Sequence, residues 1–247
     1  MKFTEKTKVA AELWLVGMLG VLALSFFVLP QMLSSQELPL TKEIVIAISI
    51  VQSAVLLAIA SWVGSNLSQK VSLTAPAAQA FAMGRSVKSA LGSQVRPGIV
   101  GGVLGAAVLI IASLFLPQQL ANLDDSVKLP LVAKVFYGGF TEEILMRWGV
   151  MTFIVWGTWA LFQKKAGKPD NGIVWFAIII SSLLFAAGHL PAAATFVEAS
   201  LTNSTIGYIL IFNSLFGFVA GFLYWRFGLE SAFIAHIVAH LLSHFGV

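Results

Sequence analysis

Long apolar runs alternate with short polar segments along almost the whole sequence. The seven runs cover residues 11–29, 44–63, 98–116, 131–162, 173–190, 206–227 and 231–247. Each run is close to or above the roughly 20 apolar residues that a membrane-spanning helix needs. An isolated segment in lipid satisfies its backbone donors and acceptors only as a helix. The pattern therefore predicts an all-α fold, a polytopic transmembrane helical bundle of seven to eight helices.

The fourth run is longer than a membrane crossing requires. Its 32 residues form a helix of about 48 Å at 1.5 Å per residue, whereas the hydrocarbon core is about 30 Å thick. We therefore expect this helix to tilt, to break or to extend beyond the membrane. The segment Tyr137 to Thr141 offers a natural break, after which Thr141 caps a helix that begins at Glu142. Such a break, or a re-entrant segment, would add the eighth helix.

The composition agrees with a membrane protein. Hydrophobic residues make up 58% of the 247 residues and charged residues 11%, whereas a soluble domain carries about 25% charged residues. One transmembrane domain over residues 1–247 accounts for this length. Cysteine is absent, which excludes disulfides, thiolate metal sites and a cysteine nucleophile. The net charge of +4 is not concentrated in a basic domain, so we expect no nucleic-acid partner.

The basic residues predict the orientation of the chain. If the chain crosses seven times from a cytoplasmic start, 11 of the 15 basic residues lie inside. Only Lys42 and Lys128 lie outside, while Lys134 and Arg147 fall within the fourth run. This asymmetry follows the positive-inside rule and predicts an integral membrane protein with a cytoplasmic N-terminus. We expect the lysine-rich start and the run after it to form an uncleaved anchor.

A few ionisable side chains interrupt the later runs. Such a side chain is costly within a span unless it is paired or hydrated, so each one is a functional candidate. All four histidines of the chain belong to this group. Its members are Glu142, Glu143, Arg147, His189, His236, His240 and His244, with Lys134 nearby.

Two adjacent glutamates in the fourth run have different helical neighbours. Glu143 and Arg147 are four residues apart in TEEILMR and share one helix face, which favours an ion pair. Glu142 points about 100° away from Glu143 and is left free for proton transfer. The alternative is a buried ionic lock of all three side chains that has no chemical role.

One histidine stands at the end of the fifth run. His189 closes the segment FAAGHLP, where we expect Pro191 to end the regular helix and Gly188 to allow close approach of a neighbouring helix. A lone histidine in a span also has a simpler role, a hydrogen bond to a neighbouring helix.

The other three histidines recur at intervals of four in the last run. His236, His240 and His244 therefore project from one helix stripe, and two imidazoles at this spacing can hold one metal ion. Polar contacts between helices are the alternative, and His244 lies close enough to the end to be interfacial. With a carboxylate, such imidazoles can activate water for hydrolysis of a peptide bond, with or without a metal.

Three ordered motifs resemble a known family. EEILMR matches the pattern EExxxR, FAAGH matches FxxxH, and the final glycine-rich span is followed by AHIVAH, which matches HxxxN/H. The sequence resembles the CPBP (Abi) family of intramembrane proteases, which is related to the CAAX prenyl endopeptidases and to bacteriocin-processing and immunity proteins. The resemblance covers about the last 120 residues and implies a catalytic core over residues 129–247.

The resemblance implies roles for the ionisable residues. Glu142 would be the catalytic carboxylate that activates water with the help of His189, and Glu143 and Arg147 would support the site. His236 would bind a metal or stabilise the oxyanion of the tetrahedral intermediate. His240 stands where many members have Asn, and it would ligate zinc or donate a hydrogen bond when protonated. A zinc site would use Glu142, His189, His236 and His240, and a mechanism without metal stays open.

The function expected on these grounds is an intramembrane endopeptidase of a bacterial cell membrane. Its partners would be membrane lipid and a membrane-associated protein or peptide substrate. A proton-coupled transporter, a catalytically silent scaffold or immunity protein of the same fold, and a haem protein are the alternatives. Ideal helices place His189 toward the outer side and His236 toward the inner side, so a single site requires tilted or broken helices.

Overall fold

Helices account for the regular structure of the described residues. The structure is a computed structural model that describes residues 4–34, 39–123, 129–197 and 200–246. Within these ranges it contains helices and no strands, which confirms the predicted all-α class. The seven long helices are α1 Glu5–Phe27, α2 Lys42–Leu67, α3 Val87–Leu114, α4 Leu131–Phe162, α5 Asn171–Ala194, α6 Asn203–Phe227 and α7 Leu229–Gly246.

Short helical segments connect or extend these helices. They are Leu29–Met32, the 3₁₀ turn Ser68–Val71, Pro76–Ala82 and Gln118–Ala121. Within α4, the α-helical segments Leu131–Ala133 and Thr152–Phe162 flank the π-helical segments Lys134–Glu142 and Ile144–Met151.

Six of the helices in the described ranges are long and apolar enough to cross a membrane, judged by length and composition. They are α1 to α6, and their outer surfaces carry exposed apolar side chains such as Leu15, Val51 and Leu114. The seventh, α7, is apolar but shorter, and Val247 of the predicted run lies outside the described residues. The prediction of an integral, multi-pass membrane protein is confirmed, and the cytoplasmic N-terminus stays a prediction.

Small residues allow the central helices to approach closely. α3 packs along α7, α5 along α6, and α1 along α2. A Cβ atom built on Gly102 of α3 would lie 2.5 Å from Cβ of Val238 on α7, closer than real side chains come. Because helices in lipid associate mainly through such packing, Gly102 fixes the distance between α3 and the helix that carries three histidines.

The fourth helix differs from its prediction. We expected a break at Tyr137 to Thr141 with Thr141 as an N-cap, and this was wrong because α4 is one helix from Leu131 to Phe162. Thr141 is buried, and its hydroxyl donates a hydrogen bond of 2.6 Å to the carbonyl oxygen of Gly17 on α1. The two glycines that suggested a break instead lie in a π-helical stretch, a feature that is frequent at functional sites.

The end of α5 also differs from its prediction. We expected Pro191 to end the helix, but α5 continues through Pro191 to Ala194. The proline removes one backbone hydrogen bond only, and it does so in the last turn, where helices fray at little cost. The expected close approach at Gly188 was wrong as well, because a Cβ atom built there meets no atom within 4 Å.

Candidate active site

Three helices bring the predicted acid and imidazoles together. Glu142 of α4 lies between His189 of α5 and His236 of α7. Its Oε1 is 3.9 Å from Nε2 of His189, and its Oε2 is 3.8 Å from Nε2 of His236. The different depths expected for the two histidines were therefore wrong. That expectation assumed ideal helices between two flat planes, whereas α5 continues past Pro191, α7 is short and α4 contains π-helical turns.

Glu143 and Arg147 form the predicted ion pair. Both side chains are completely buried, and Nε of Arg147 lies 3.1 Å from Oε2 of Glu143. The angles of this contact are not those of a hydrogen bond, so it is an electrostatic pairing. The guanidinium also lies over the ring of Phe185, with Cζ 5.1 Å from the ring centre. Glu142 makes its contacts with the histidines instead, so the alternative of a single lock of all three side chains does not describe this geometry.

Glu143 also determines the hydrogen bonding of His236. Nδ1 of His236 lies 2.8 Å from Oε1 of Glu143, and because an ionised carboxylate only accepts, the nitrogen donates. Nε2 of a neutral His236 is then an acceptor. Nε2 of His240 lies 3.1 Å away and donates its proton to it. The chain from Glu143 through His236 to His240 thus fixes the tautomer of both rings.

His189 is oriented by its own helix. Its Nδ1 lies 2.8 Å from the carbonyl oxygen of Phe185, and because a carbonyl only accepts, Nδ1 carries the proton. Nε2 of the neutral ring is therefore an acceptor, and this is the atom that faces Glu142. The first residue of the FAAGH motif thus holds its last residue in position.

A glycine missed by sequence reasoning lies under the two imidazoles. A Cβ atom built on Gly138 would lie 2.9 Å from Nε2 of His236 and 3.0 Å from Nε2 of His240. Only a residue without a side chain leaves these two nitrogen atoms where they are. The sequence signal was the Gly138 and Gly139 pair within a span, which we interpreted as a helix break rather than as space for a neighbouring side chain.

Aromatic rings enclose the histidines. The ring of Phe185 meets His189 edge-on at 4.7 Å between centres, and the ring of Phe216 lies 4.4 Å from that of His236. Phe216, on α6, was not among the predicted site residues. Phe185 thus packs against both His189 and the guanidinium of Arg147, and Phe216 packs against His236.

Glu142 and His189 face a cavity. The cavity has a volume of about 260 Å³ and is lined by Glu142, His189, His236, His240, Lys134 and Tyr137, together with Asn213 and mainly apolar side chains. The side chain of Glu142 is 19% exposed and that of His189 is 35% exposed. By contrast, Glu143 and Arg147 do not line it. The adjacent glutamates are therefore separated into one that faces open space and one that is buried, although their catalytic roles stay predictions.

The predicted metal ligands lie close together without forming a metal site. In the described part of the chain, no group of three or more histidine, aspartate or glutamate side chains is arranged as one. Both ring nitrogens of His236 already have partners. Zinc at Glu142, His189, His236 and His240 stays a prediction, and no step proposed below depends on it. His244 is exposed at the end of α7 beside Phe245.

The fold and the site together define the class of this protein. It is a multi-pass membrane protein whose helices bring glutamates and histidines together at a cavity. Residues 125–242 match the model of the family described as Type II CAAX prenyl endopeptidase Rce1-like, a segment that contains all of these residues. The match confirms the resemblance to the CPBP (Abi) family and identifies this segment as Rce1-like. At the level of the family, it indicates a membrane protease of the CAAX type. Comparisons with curated proteins and with solved structures found no match.

Proposed function

We propose that this protein is an intramembrane endopeptidase that hydrolyses a peptide bond in a membrane-associated protein or peptide. The observation on which the proposal rests is the position of Glu142, 3.9 Å from one imidazole and 3.8 Å from another at the wall of a cavity. The family match supports the class of reaction.

Glu142 is the general base of the proposed reaction. Both distances are too long for direct hydrogen bonds and suit a bridging water molecule. The carboxylate and Nε2 of His189 are both acceptors, so one water can donate a hydrogen to each. Its oxygen lone pair then points away from both groups and toward a substrate carbonyl carbon. Proton transfer to a positioned carboxylate contributes about 10²- to 10⁴-fold in rate.

The reaction proceeds in two proton-balanced steps. The water oxygen bonds to the carbonyl carbon while one of its protons moves to Glu142, which yields a tetrahedral oxyanion. The carbon–nitrogen bond then breaks as Glu142 returns the proton to the leaving nitrogen. The products are a carboxylic acid and an amine, and Glu142 is ionised again.

His240 is the proposed donor to the oxyanion. Its Nε2–H points at His236 in the resting site, at the edge of the cavity. A donor held beside the position where negative charge develops stabilises the transition state more than the substrate. His236 holds His240 in place, and Glu143 with Arg147 holds His236. The EExxxR motif thus supplies both the base and the support of the oxyanion donor.

The experiment compares purified variants in detergent with fluorescently labelled casein as an unfolded polypeptide substrate. We expect the wild type to release labelled peptides and Glu142→Gln to lose this activity. Glu43→Gln is the matched control, because Glu43 is an exposed carboxylate in the first turn of α2. New N-termini identified by mass spectrometry distinguish peptide hydrolysis from loss of the label. Equal peptide release by wild type and Glu142→Gln would refute the proposal, and an inactive wild type would favour the silent scaffold.

A further inference from the structure

A second, larger opening adjoins the cavity that contains Glu142. Tyr208 and Phe212 of α6 line this cavity. The same two side chains also line a groove of about 830 Å³. The cavity and the groove therefore meet at a common wall of two aromatic residues. A chain lying in the groove is therefore next to the cavity that Glu142 faces.

The groove lies at one particular face of the bundle. It is formed where α3 ends, at Phe115 and Gln118, and where α6 begins, at Ser204 and Gly207. Successive helices run in alternate directions, so the end of α3 and the start of α6 lie on the same face of the bundle. The C-terminal ends of α2, α4 and α6 lie on the opposite face. The other face carries most of the basic residues, including Lys70, Lys88, Lys164, Lys165 and Arg226. We name the two the groove face and the basic face.

Hydrogen bonds hold one wall of the groove in shape. Nε2 of Gln119 donates to the carbonyl oxygen of Ser200 at 3.1 Å. Its Oε1 accepts from the backbone nitrogen of Thr202 at 3.1 Å and from the hydroxyl of Thr205 at 2.8 Å. Gln119 thus links the segment after α3 to the start of α6. A wall that is already ordered loses little entropy when a ligand binds.

The lining of the groove suits an extended, uncharged peptide. Three rings form a row with Phe212 in the middle. The centre of the Phe212 ring is 6.4 Å from that of Phe115 and 5.0 Å from that of Tyr208. Amide and hydroxyl groups of Gln118 and Ser204 stand nearby, and none of the described residues that line the groove is charged. Amides pair with the backbone of an extended chain, and rings cover its apolar side chains.

We propose that this groove receives an extended, uncharged segment of the substrate polypeptide and leads it to Glu142 from the groove face. The proposal rests on the proposed endopeptidase function and adds the route and the chemical class of the substrate segment. With the predicted cytoplasmic N-terminus, the positive-inside rule makes the groove face extracytoplasmic, and we expect the recognised segment to lie outside the cytoplasm.

The first test fills the groove. A Cβ atom built on Gly207 meets no atom within 4 Å, so Gly207→Trp starts a large side chain from an open position on the groove wall. With an uncharged, quenched fluorogenic decapeptide, we expect KM to rise at least tenfold while kcat stays within about twofold. Gly172→Trp is the matched control, because Gly172 is equally open but lies on the basic face at the start of α5. An unchanged KM for Gly207→Trp would overturn the proposal.

The second test does not require catalysis. The chain has no cysteine, so Gly207→Cys and Gly172→Cys each provide a single thiol. We expect a membrane-impermeant maleimide added to intact cells to label Gly207→Cys, and to label Gly172→Cys only after permeabilisation. In purified protein carrying Glu142→Gln, the uncut decapeptide should slow labelling of Gly207→Cys and leave Gly172→Cys unaffected.

Each result separates the groove from the proposed catalytic site. Labelling of Gly207→Cys only by a lipid-soluble maleimide would show a groove filled by lipid, and labelling that the decapeptide does not slow would show an empty one. Either result overturns the groove proposal and leaves the role of Glu142 intact. If Glu142→Gln cleaves casein as fast as the wild type, the catalytic proposal fails, whatever the labelling shows.

Discussion

Nδ1 of His236 donates a hydrogen bond of 2.8 Å to Oε1 of Glu143, so a carboxylate from one helix orients an imidazole from another. Arg147 balances the charge of that carboxylate from 3.1 Å away. Adjacent glutamates on α4 thereby have separate surroundings, since Glu142 faces the cavity and Glu143 is fully buried. The separation gives each carboxylate a distinct expected response to mutation.

Arg147→Ala should lower the stability of the folded protein and not only its catalytic activity. Removal of the guanidinium leaves Glu143 charged and buried without a counter-ion, which costs about 3–5 kcal/mol. We expect a lower unfolding temperature and lower abundance in membranes, measured by fluorescence-monitored unfolding in detergent. Arg85→Ala is the control, because Arg85 is exposed, and it should leave both quantities unchanged. Normal stability of Arg147→Ala would contradict a structural role of the pair.

Gly138→Ala should reduce kcat. The added Cβ would stand 2.9 Å from Nε2 of His236 and 3.0 Å from Nε2 of His240, so both imidazoles must move. Displacements of about 1 Å at a catalytic group cost up to about 10²-fold in rate, and we expect a fall of 10-fold or more in casein cleavage.

The control for Gly138→Ala lies on the same helix. Gly157 has open space around it, and Gly157→Ala should leave kcat unchanged. A wild-type kcat for Gly138→Ala would show that the close contact of Gly138 with the imidazoles has no role in activity.

His189→Ala should lower kcat by about 10²-fold or more, because one of the two acceptors that orient the attacking water is lost. The side chain is 35% exposed, so the fold should survive, as circular dichroism can verify. His244→Ala removes an exposed histidine that lies outside the cluster and should have full activity. Equal kcat values for the two variants would remove His189 from the mechanism.

His240→Asn should keep activity, whereas His240→Leu should lose about 10²- to 10³-fold in kcat. An asparagine amide donates a hydrogen bond as the imidazole does, and leucine of similar size donates none. The measurement is kcat at saturating decapeptide for both variants. If leucine is tolerated as well as asparagine, His240 does not act as an oxyanion donor.

Much of the architecture could be predicted because it depends on local patterns. The apolar runs indicated helices close to those observed, and the spacing of Glu143 and Arg147 indicated their ion pair. The rarity of charged groups inside a span identified Glu142, His189, His236 and His240, which line the cavity, together with the nearby Lys134. Each of these inferences needs only the residues of a single run.

The remaining features depend on which helices become neighbours. Gly138 looked like a helix breaker, and only the positions of His236 and His240 show that it provides space for them. The hydrogen bond from Thr141 to Gly17 joins α4 to a helix outside the Rce1-like segment. Helix α5 continues past Pro191 because the backbone hydrogen bond that the proline removes lies in the last turn of the helix. A single sequence contains no record of such distant contacts.

The most direct test of the central proposal is the ratio of kcat between Glu142→Gln and the wild type on fluorescent casein, with both proteins shown to be folded. Glutamine keeps the shape of the side chain and removes its ability to accept a proton from water. We expect a decrease of about 10³-fold, within the range for loss of a general base. A ratio near one would contradict the assignment of Glu142 as the residue that activates water.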